Sequence, residues 1–320
     1  MDVLALTAAP DAPFLNQGMA ALEERGVSFE TLVVPGEASG DSSRGLSEYL
    51  RFVPTVLAEA DGGYDLVHAH YGTTAPAALA QRRLPVVLSL WGSDLHGPVA
   101  PLSRACAKRC AAVIVMSAEM RELLGSACRV IPDGVDLDRF EPIPRDRARA
   151  AVGWSPDAHH VLFPYAPDRE VKDFPRARRI VDRVDGRLDR PVRLRAVHGV
   201  DHAEVPTYFN AADALLLTSR TEGSPNSVKE ALACNLPVVA TDVGDVRERV
   251  AGVSPSTVAT TDDSLVEGLR AVLERGERSN GRAAAREVSL ERTADRTLSV
   301  YESVAGWRPA DATRATPGRR

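Results

Sequence analysis

The sequence predicts an α/β protein built from two doubly wound domains, each on a parallel sheet. Short apolar runs alternate with longer amphipathic ones, the pattern of strand–helix–strand units whose crossovers return the chain in one direction. The alternation occurs as two series, separated by a stretch rich in proline and charge. At 320 residues and 44% hydrophobic, the chain is too long for one typical core and suits two domains of roughly 150 residues each.

In the first series the expected strands are DVLALT (2–7), FETLVV (29–34), DLVHAH (65–70), PVVLSL (85–90), AAVIVMS (111–117) and RVIP (129–132), with helical patterns between most of them. The stretch 140–160, FEPIPRDRARAAVGWSPDAHH, reads as the domain crossover, which places the boundary near residue 140. The second series has the strands HVLFPY (160–165), VRLRAV (192–197), ADALLLTS (212–219) and LPVVATD (236–242), with helical segments such as 174–184 and 205–212. The expected domains are therefore 1–140 and 141–290, a helix at about 291–307 packing back on the first, and a disordered tail over 308–320 with almost no apolar content.

A formal charge of -5 and a pI near 5.9 leave no basic footprint for nucleic acid. The opening MDVLALTAAP lacks a basic start and a longer apolar core, and no apolar run nears the roughly 20 residues of a spanning helix. A soluble, cytoplasmic protein is expected. Cys106, Cys110, Cys128 and Cys234 form no C-x-x-C pair and sit in apolar segments, so neither disulfides nor zinc are indicated.

Ligands of doubly wound sheets sit beyond the carboxyl ends of the strands, so the informative residues belong in the loops there. Between the strands ending at Ser219 and beginning at Leu236 the chain must place a loop and a crossover helix, which Pro225 opens. Free amides over 224–227 then favour an anion such as a diphosphate. Glu222 lies before that helix and Glu230 within its early turns; two acceptor-only carboxylates suit the vicinal hydroxyls of a ribose and a hexose. The plainer alternative is a glutamate favouring the helix dipole and another that is merely solvated.

Arg169 and Lys172 follow the strand HVLFPY, where two fixed cations can stabilise a departing diphosphate; the competing reading is a surface salt network with Asp168, Glu170 and Asp173. His68 and His70 are expected on opposite faces of their strand, which argues against a shared metal, and His70 is either a crevice residue or a buried ring bonded to backbone. His159 and His160 fall in the crossover and His96 in a loop, so no metal triad is expected.

In order along the chain, DLVHAHYG, WGSDL, VIPDGVDLDRF and EGSPN…KEALA resemble the motifs of glycosyltransferase family four, retaining enzymes of GT-B fold whose signature is two glutamates with seven residues between them. The resemblance spans roughly residues 65 to 250. It implies a nucleoside-diphosphate-sugar donor, with Glu230 on the ribose, Glu222 on the transferred sugar, Gly223, Ser224, Pro225, Asn226 and Ser227 approaching sugar and diphosphate, and Arg169 and Lys172 on the diphosphate. It implies no metal and no other cofactor. On the acceptor side it points to His70, Gly92, Asp94 and Asp136. Trp91 stands where the family commonly has a histidine, so that histidine's role does not carry over. Gly18 alone stands where many relatives carry a glycine pair.

The implied acceptor is a glycan, a lipid-linked molecule or a small molecule. A UDP-N-acetylglucosamine 2-epimerase and a non-catalytic GT-B partner subunit are the rival readings. Arg104 and Lys108, one helical turn apart with Arg109 further round, suggest a basic face for peripheral docking on the inner surface of the cell membrane.

Overall fold

The computed structural model describes residues 1–36, 44–60 and 62–306. The expected tail, 308–320, lies outside the described residues. The chain divides into two compact units: residues 1–132 together with the chain from Glu291 onward, and residues 133–290.

Unit 1 runs β1 (Asp2–Thr7), α1 (Pro13–Glu23), β2 (Ser28–Val33), α2 (Leu46–Glu59), β3 (Leu66–His70), α3 (Ala75–Ala80) and β4 (Val86–Leu90). It continues through α4 (Ser93–His96), α5 (Ala100–Ala107), β5 (Ala112–Val115), α6 (Ala118–Leu124) and β6 (Arg129–Val130). The strands pair in parallel in the order β2-β1-β3-β4-β5-β6. Winding reverses between β1 and β3, where Val3 pairs with Leu66 and Leu6 with Ala69. Strands β3 and β4 are buried along their whole length, which is why they read as near-continuous apolar runs.

Unit 2 runs α7 (Arg145–Val152), β7 (His159–Phe163), α8 (Phe174–Asp185), β8 (Val192–Ala196), α9 (Val205–Ala211), β9 (Ala214–Leu217) and α10 (Asn226–Ala233). It ends with β10 (Val238–Thr241), α11 (Val246–Val250), β11 (Thr257–Ala259), α12 (Asp262–Arg275) and α13 (Gly281–Ala285). Its five parallel strands lie in the order β11-β10-β9-β7-β8, so the winding reverses between β7 and β9. Helices cover both faces. On one, Ala177, Ile180, Val181 and Val184 of α8 meet Leu265, Leu269 and Val272 of α12 over Val161, Leu216 and Val239. On the other, Phe209, Val228 and Leu232 pack on Leu162, Leu215 and Val238. Local chemistry starts these helices: the Asp173 side chain accepts from Arg176 N to cap α8, and Thr261 accepts from Ser264 N to cap α12.

The stretch 140–160 is not a bare crossover. Phe140 is buried in the core of unit 2, and Arg149 on α7 places its guanidinium 2.5 Å from Asp213 and donates to the Ala211 carbonyl. Charge in that stretch is the sign of a buried ion pair that ties α7 to unit 2, and the division falls at Pro132–Asp133. His159 and His160 belong to β7, and His96 ends α4. The final helix α14 (Leu290–Ala305) packs within unit 1, where Tyr301 is fully buried with its hydroxyl 2.5 Å from His68 Nδ1 and Arg25 pairs with Asp295 at 2.6 Å. No helix among the described residues is long and apolar enough to cross a membrane.

Candidate functional site

The carboxyl ends of β7 and β9, which flank the reversal in unit 2, carry the charged loops. After β7 the chain passes Tyr165 and Arg169 and closes a short turn over Glu170–Lys172. After β9 it passes Ser219 and Glu222. Thr218 Oγ1 donates to the carbonyls of Lys172 and Asp173, and Arg220 N donates to the Val171 carbonyl, so each loop holds the other.

Lys172 is 6% exposed, its Nζ 2.5 Å from Glu222 Oε1 and 3.9 Å from the centre of the Tyr165 ring. Burial lowers the Lys172 ammonium from its ordinary value, and Glu222 opposes that shift. Ser219 Oγ donates to the same Glu222 oxygen at 2.6 Å, which leaves Oε2 open. Arg169 is exposed, 5.7 Å from the Tyr165 ring, and makes no ion pair among the described residues. The alternative salt network does not form around it; Asp173 pairs with Arg220 instead.

Pro225 occupies the N-cap of α10. Around that start, Ser227 Oγ and the Tyr165 hydroxyl are 2.5 Å apart, and Ser224 Oγ donates to Asp245 Oδ2 at 2.8 Å. The Asn226 Oδ1 atom is buried without a hydrogen-bond partner. Gly223 approaches Gly244 so closely that a Cβ on Gly244 would lie 2.5 Å from the Gly223 carbonyl oxygen and 2.9 Å from that of Glu222. Gly244 also has φ +57, so glycine is required there twice over. Glu230, partly buried, has no hydrogen-bond partner among the described residues, and burial pushes its carboxyl up to about 7 against the opposing pull of Lys229. Lys229 is itself fully buried and donates to the Asp133 carbonyl at 2.9 Å.

Arg169, Lys172, Glu222, Ser227 and Glu230 thus gather around Tyr165, whose phenol is raised by burial and then by Glu222. Tyr165, Ser219, Gly244, Asp245 and Lys229 were not singled out in the sequence. The available signal was position, since Tyr165 and Ser219 end two of the expected strands and VGD follows a third.

Of the residues expected on the acceptor side, His70, Trp91, Gly92 and Asp94 lie together in unit 1, whereas Asp136 belongs to the other unit. Asp94 is fully buried and accepts from the amides of Gly72 at 2.7 Å and Trp91 at 2.6 Å, so its carboxylate closes a turn; burial pushes it up to about 6. Gly92, at φ +130, caps α4. Asp136 belongs to unit 2 and accepts from the amides of Asp138 and Arg139. Gly18 lies inside α1, where its amide serves the helix. Arg104 is half-buried and donates through Nε to the Leu123 carbonyl, and Lys108 is exposed.

His68 and His70 share a face, with ring centres 3.8 Å apart. The expectation of opposite faces misapplied the strand period: residues two apart point the same way. His70 is 6% exposed, stacks on Trp91 at 6.0 Å and leaves both ring nitrogens without hydrogen-bond partners. No cluster of three or more metal-ligating side chains occurs among the described residues.

Residues 3–139 match the family described as Glycosyltransferase Family 4, and residues 175–275 match Glycosyl transferases group 1. A D-inositol 3-phosphate glycosyltransferase from Geodermatophilus obscurus is 30% identical over 316 residues, covering 80% of this chain and 70% of its own. The protein of the same name from Mycobacterium tuberculosis is 28% identical and covers 77% of this chain; this chain spans 63% of it, less than two thirds. Among solved structures, sucrose-phosphate synthase from Thermosynechococcus elongatus superposes with a TM-score of 0.77 at 17% identity, covering 96% of this chain and 99% of that one. HepE from Anabaena, solved in complex with UDP and glucose, superposes with a TM-score of 0.68 at 17% identity, covering 95% and 100%.

Proposed function

The chain belongs to glycosyltransferase family 4 and has the GT-B fold, and on that premise we propose that it is a retaining transferase that moves a sugar from a nucleoside-diphosphate-sugar to a hydroxyl acceptor, gripping the donor in unit 2. The observation that carries this reading is the cluster at the β7/β9 reversal: an unpaired arginine, a buried lysine, two carboxylates with open oxygens and a helix start within one group of loops. Glu230 takes the ribose hydroxyls and Glu222, through Oε2, those of the transferred sugar. Arg169, Lys172 and the amides at the start of α10 meet the diphosphate.

In the transfer the acceptor oxygen bonds to the anomeric carbon from the face that the diphosphate leaves, while the carbon–oxygen bond to the diphosphate breaks. The acceptor's proton passes to a leaving diphosphate oxygen, so no protein nucleophile is needed. Negative charge accumulates on the diphosphate as the bond opens, and Arg169 and Lys172 stabilise it. Glu222 opposes the lowering that burial imposes on the Lys172 ammonium.

Calorimetric titration with UDP, GDP and ADP tests the donor grip, with UDP first because a GT-B neighbour was solved with it. One of the three should bind and, at about 100 times its dissociation constant, raise stability by about 2.7 kcal/mol. Absence of binding by all three removes the reading. Turnover of a UDP-sugar to an epimer with no acceptor present would replace it with an epimerase.

A further inference from the structure

Lys172 and the start of α10 belong to different crossovers, one leaving β7 and the other leaving β9, and the diphosphate of the reading above must meet both. Tyr165 is the side chain that spans them. Its hydroxyl lies 2.5 Å from Ser227 Oγ, in the first turn of α10, and its ring centre lies 3.9 Å from Lys172 Nζ and 5.7 Å from the central guanidinium carbon of Arg169. Both cations fall within the roughly 6 Å over which an aromatic face attracts positive charge. The ring is fixed in turn by Phe163, which meets it edge to face at 5.5 Å.

A lysine carries its charge on a flexible four-carbon stem, whose freedom must be lost before the charge can serve one position. Glu222 restrains the stem through an ion pair at 2.5 Å, but a carboxylate also offsets the charge that it holds. A ring face attracts the ammonium through its quadrupole and has no net charge, so the cation it holds keeps its field for a phosphate oxygen. Lys172 is buried and Tyr165 partly so, which limits the water that competes for this contact. The ring thus supplies a restraint that the ion pair alone does not.

We propose that Tyr165 is a positioning residue: its ring face holds Lys172, with Arg169 beside it, in register with the amides at the start of α10, to which its hydroxyl is tied through Ser227. The diphosphate as ligand rests on the transferase reading above; the strut itself rests on the contacts to Ser227, Lys172, Arg169 and Phe163 alone. Tyr165 touches no reacting atom and acts through the cations and the helix start.

The strut can be read without any ligand, by NMR of the full chain labelled with carbon-13 at lysine Cε. The chain has three lysines, Lys108, Lys172 and Lys229, and among the described residues only Lys172 lies over an aromatic ring. One ε-methylene signal, missing in Lys172→Ala, should stand upfield of the other two because the ring shields it; it should stay there in Tyr165→Phe and move back in Tyr165→Leu. The role is read from nucleoside diphosphate released when UDP-glucose, GDP-glucose and ADP-glucose are offered in turn. Tyr165→Phe, which keeps the face and loses the tie to Ser227, should lower kcat about fivefold. Tyr165→trifluoro-Phe, of nearly the same shape but without a negative face, should lower it about a further tenfold, with KM changed by less than about threefold. Equal kcat in the Phe and trifluoro-Phe variants, a fall in kcat that tracks melting temperature, or a Lys172 signal unshifted in the wild type overturns the proposal. Wild type that binds none of UDP, GDP and ADP overturns the transferase reading instead, and the Lys172 signal then decides the strut by itself.

Discussion

At the reversal of unit 2, a buried lysine faces a carboxylate across 2.5 Å and Arg169, without an ion pair among the described residues, stands in the open; at the reversal of unit 1, the described lining of the crevice is mostly aromatic and apolar, with Arg44 at its edge. The same sheet logic offers both places to a ligand, because diverging crossovers leave a crevice wherever strand order reverses. What differs is the chemistry of the loops. One set carries paired and exposed charges, the other mostly aromatic and small apolar side chains among the described residues. The fold decides where binding occurs, and a few side chains decide what binds.

The sharpest way to break this contrast is to remove the lysine. Lys172→Ala should lower turnover about a hundredfold while weakening UDP binding far less, because its charge is needed most as the diphosphate leaves. Steady-state kinetics beside calorimetry measures both, and equal losses in the two would deny the transition-state role. Next in size, Glu230→Ala should weaken nucleoside diphosphate binding by about 1.5–3 kcal/mol, roughly ten- to a hundredfold, by removing a charged acceptor for the ribose.

Glu230 also predicts a pH dependence. Its folded value, about 7, exceeds the ordinary 4.5, so UDP affinity should fall as pH drops below about 7 in the wild type and stay flat in Glu230→Gln. For stability the sign is opposite to that of a paired carboxylate. The folded chain holds this proton more tightly than the unfolded one, so the group's contribution declines as pH rises from 4.5 to about 7, and Glu230→Gln should raise the melting temperature most above that range.

A smaller effect comes from Gly244→Ala. Its Cβ would press on the carbonyls of Glu222 and Gly223, so the donor loop must shift, lowering UDP affinity and costing about 1–3 kcal/mol of stability. Tyr301→Phe is the mildest: it leaves His68 Nδ1 without a partner, costs about 1–2 kcal/mol by thermal melting, and leaves UDP binding unchanged because the change lies in unit 1. A loss of UDP binding in that variant would show that the units do not act separately.

The strands of both sheets were legible because parallel strands buried on two faces read as unbroken apolar runs, as in VVLSL and ALLL. Short β11 escaped, since TVA is three residues with intermediate burial. The stretch 140–160 misled because proline and arginine mark linkers by composition, whereas here Arg149 and Asp213 pair across 64 residues and only the fold brings them together. At the candidate site, residues in a contiguous motif, Glu222 to Glu230, could be read directly. Tyr165, Gly244 and Asp245 could not, because their importance lies in contacts to residues distant along the chain. The histidine pair was a matter of arithmetic: the strand was identified, and its period of two was applied wrongly.

Helix α14 belongs to the unit with which the chain began, so unit 2 is an insertion within unit 1. On the ribosome, residues 133–290 emerge complete while their predecessor still lacks Tyr301 and the Asp295 partner of Arg25. Unit 2 can therefore mature during synthesis, at roughly 5–20 residues per second of translation, whereas unit 1 must wait for α14. In the interval His68 faces an empty place in the nascent core, and any truncation before residue 301 makes that interval permanent.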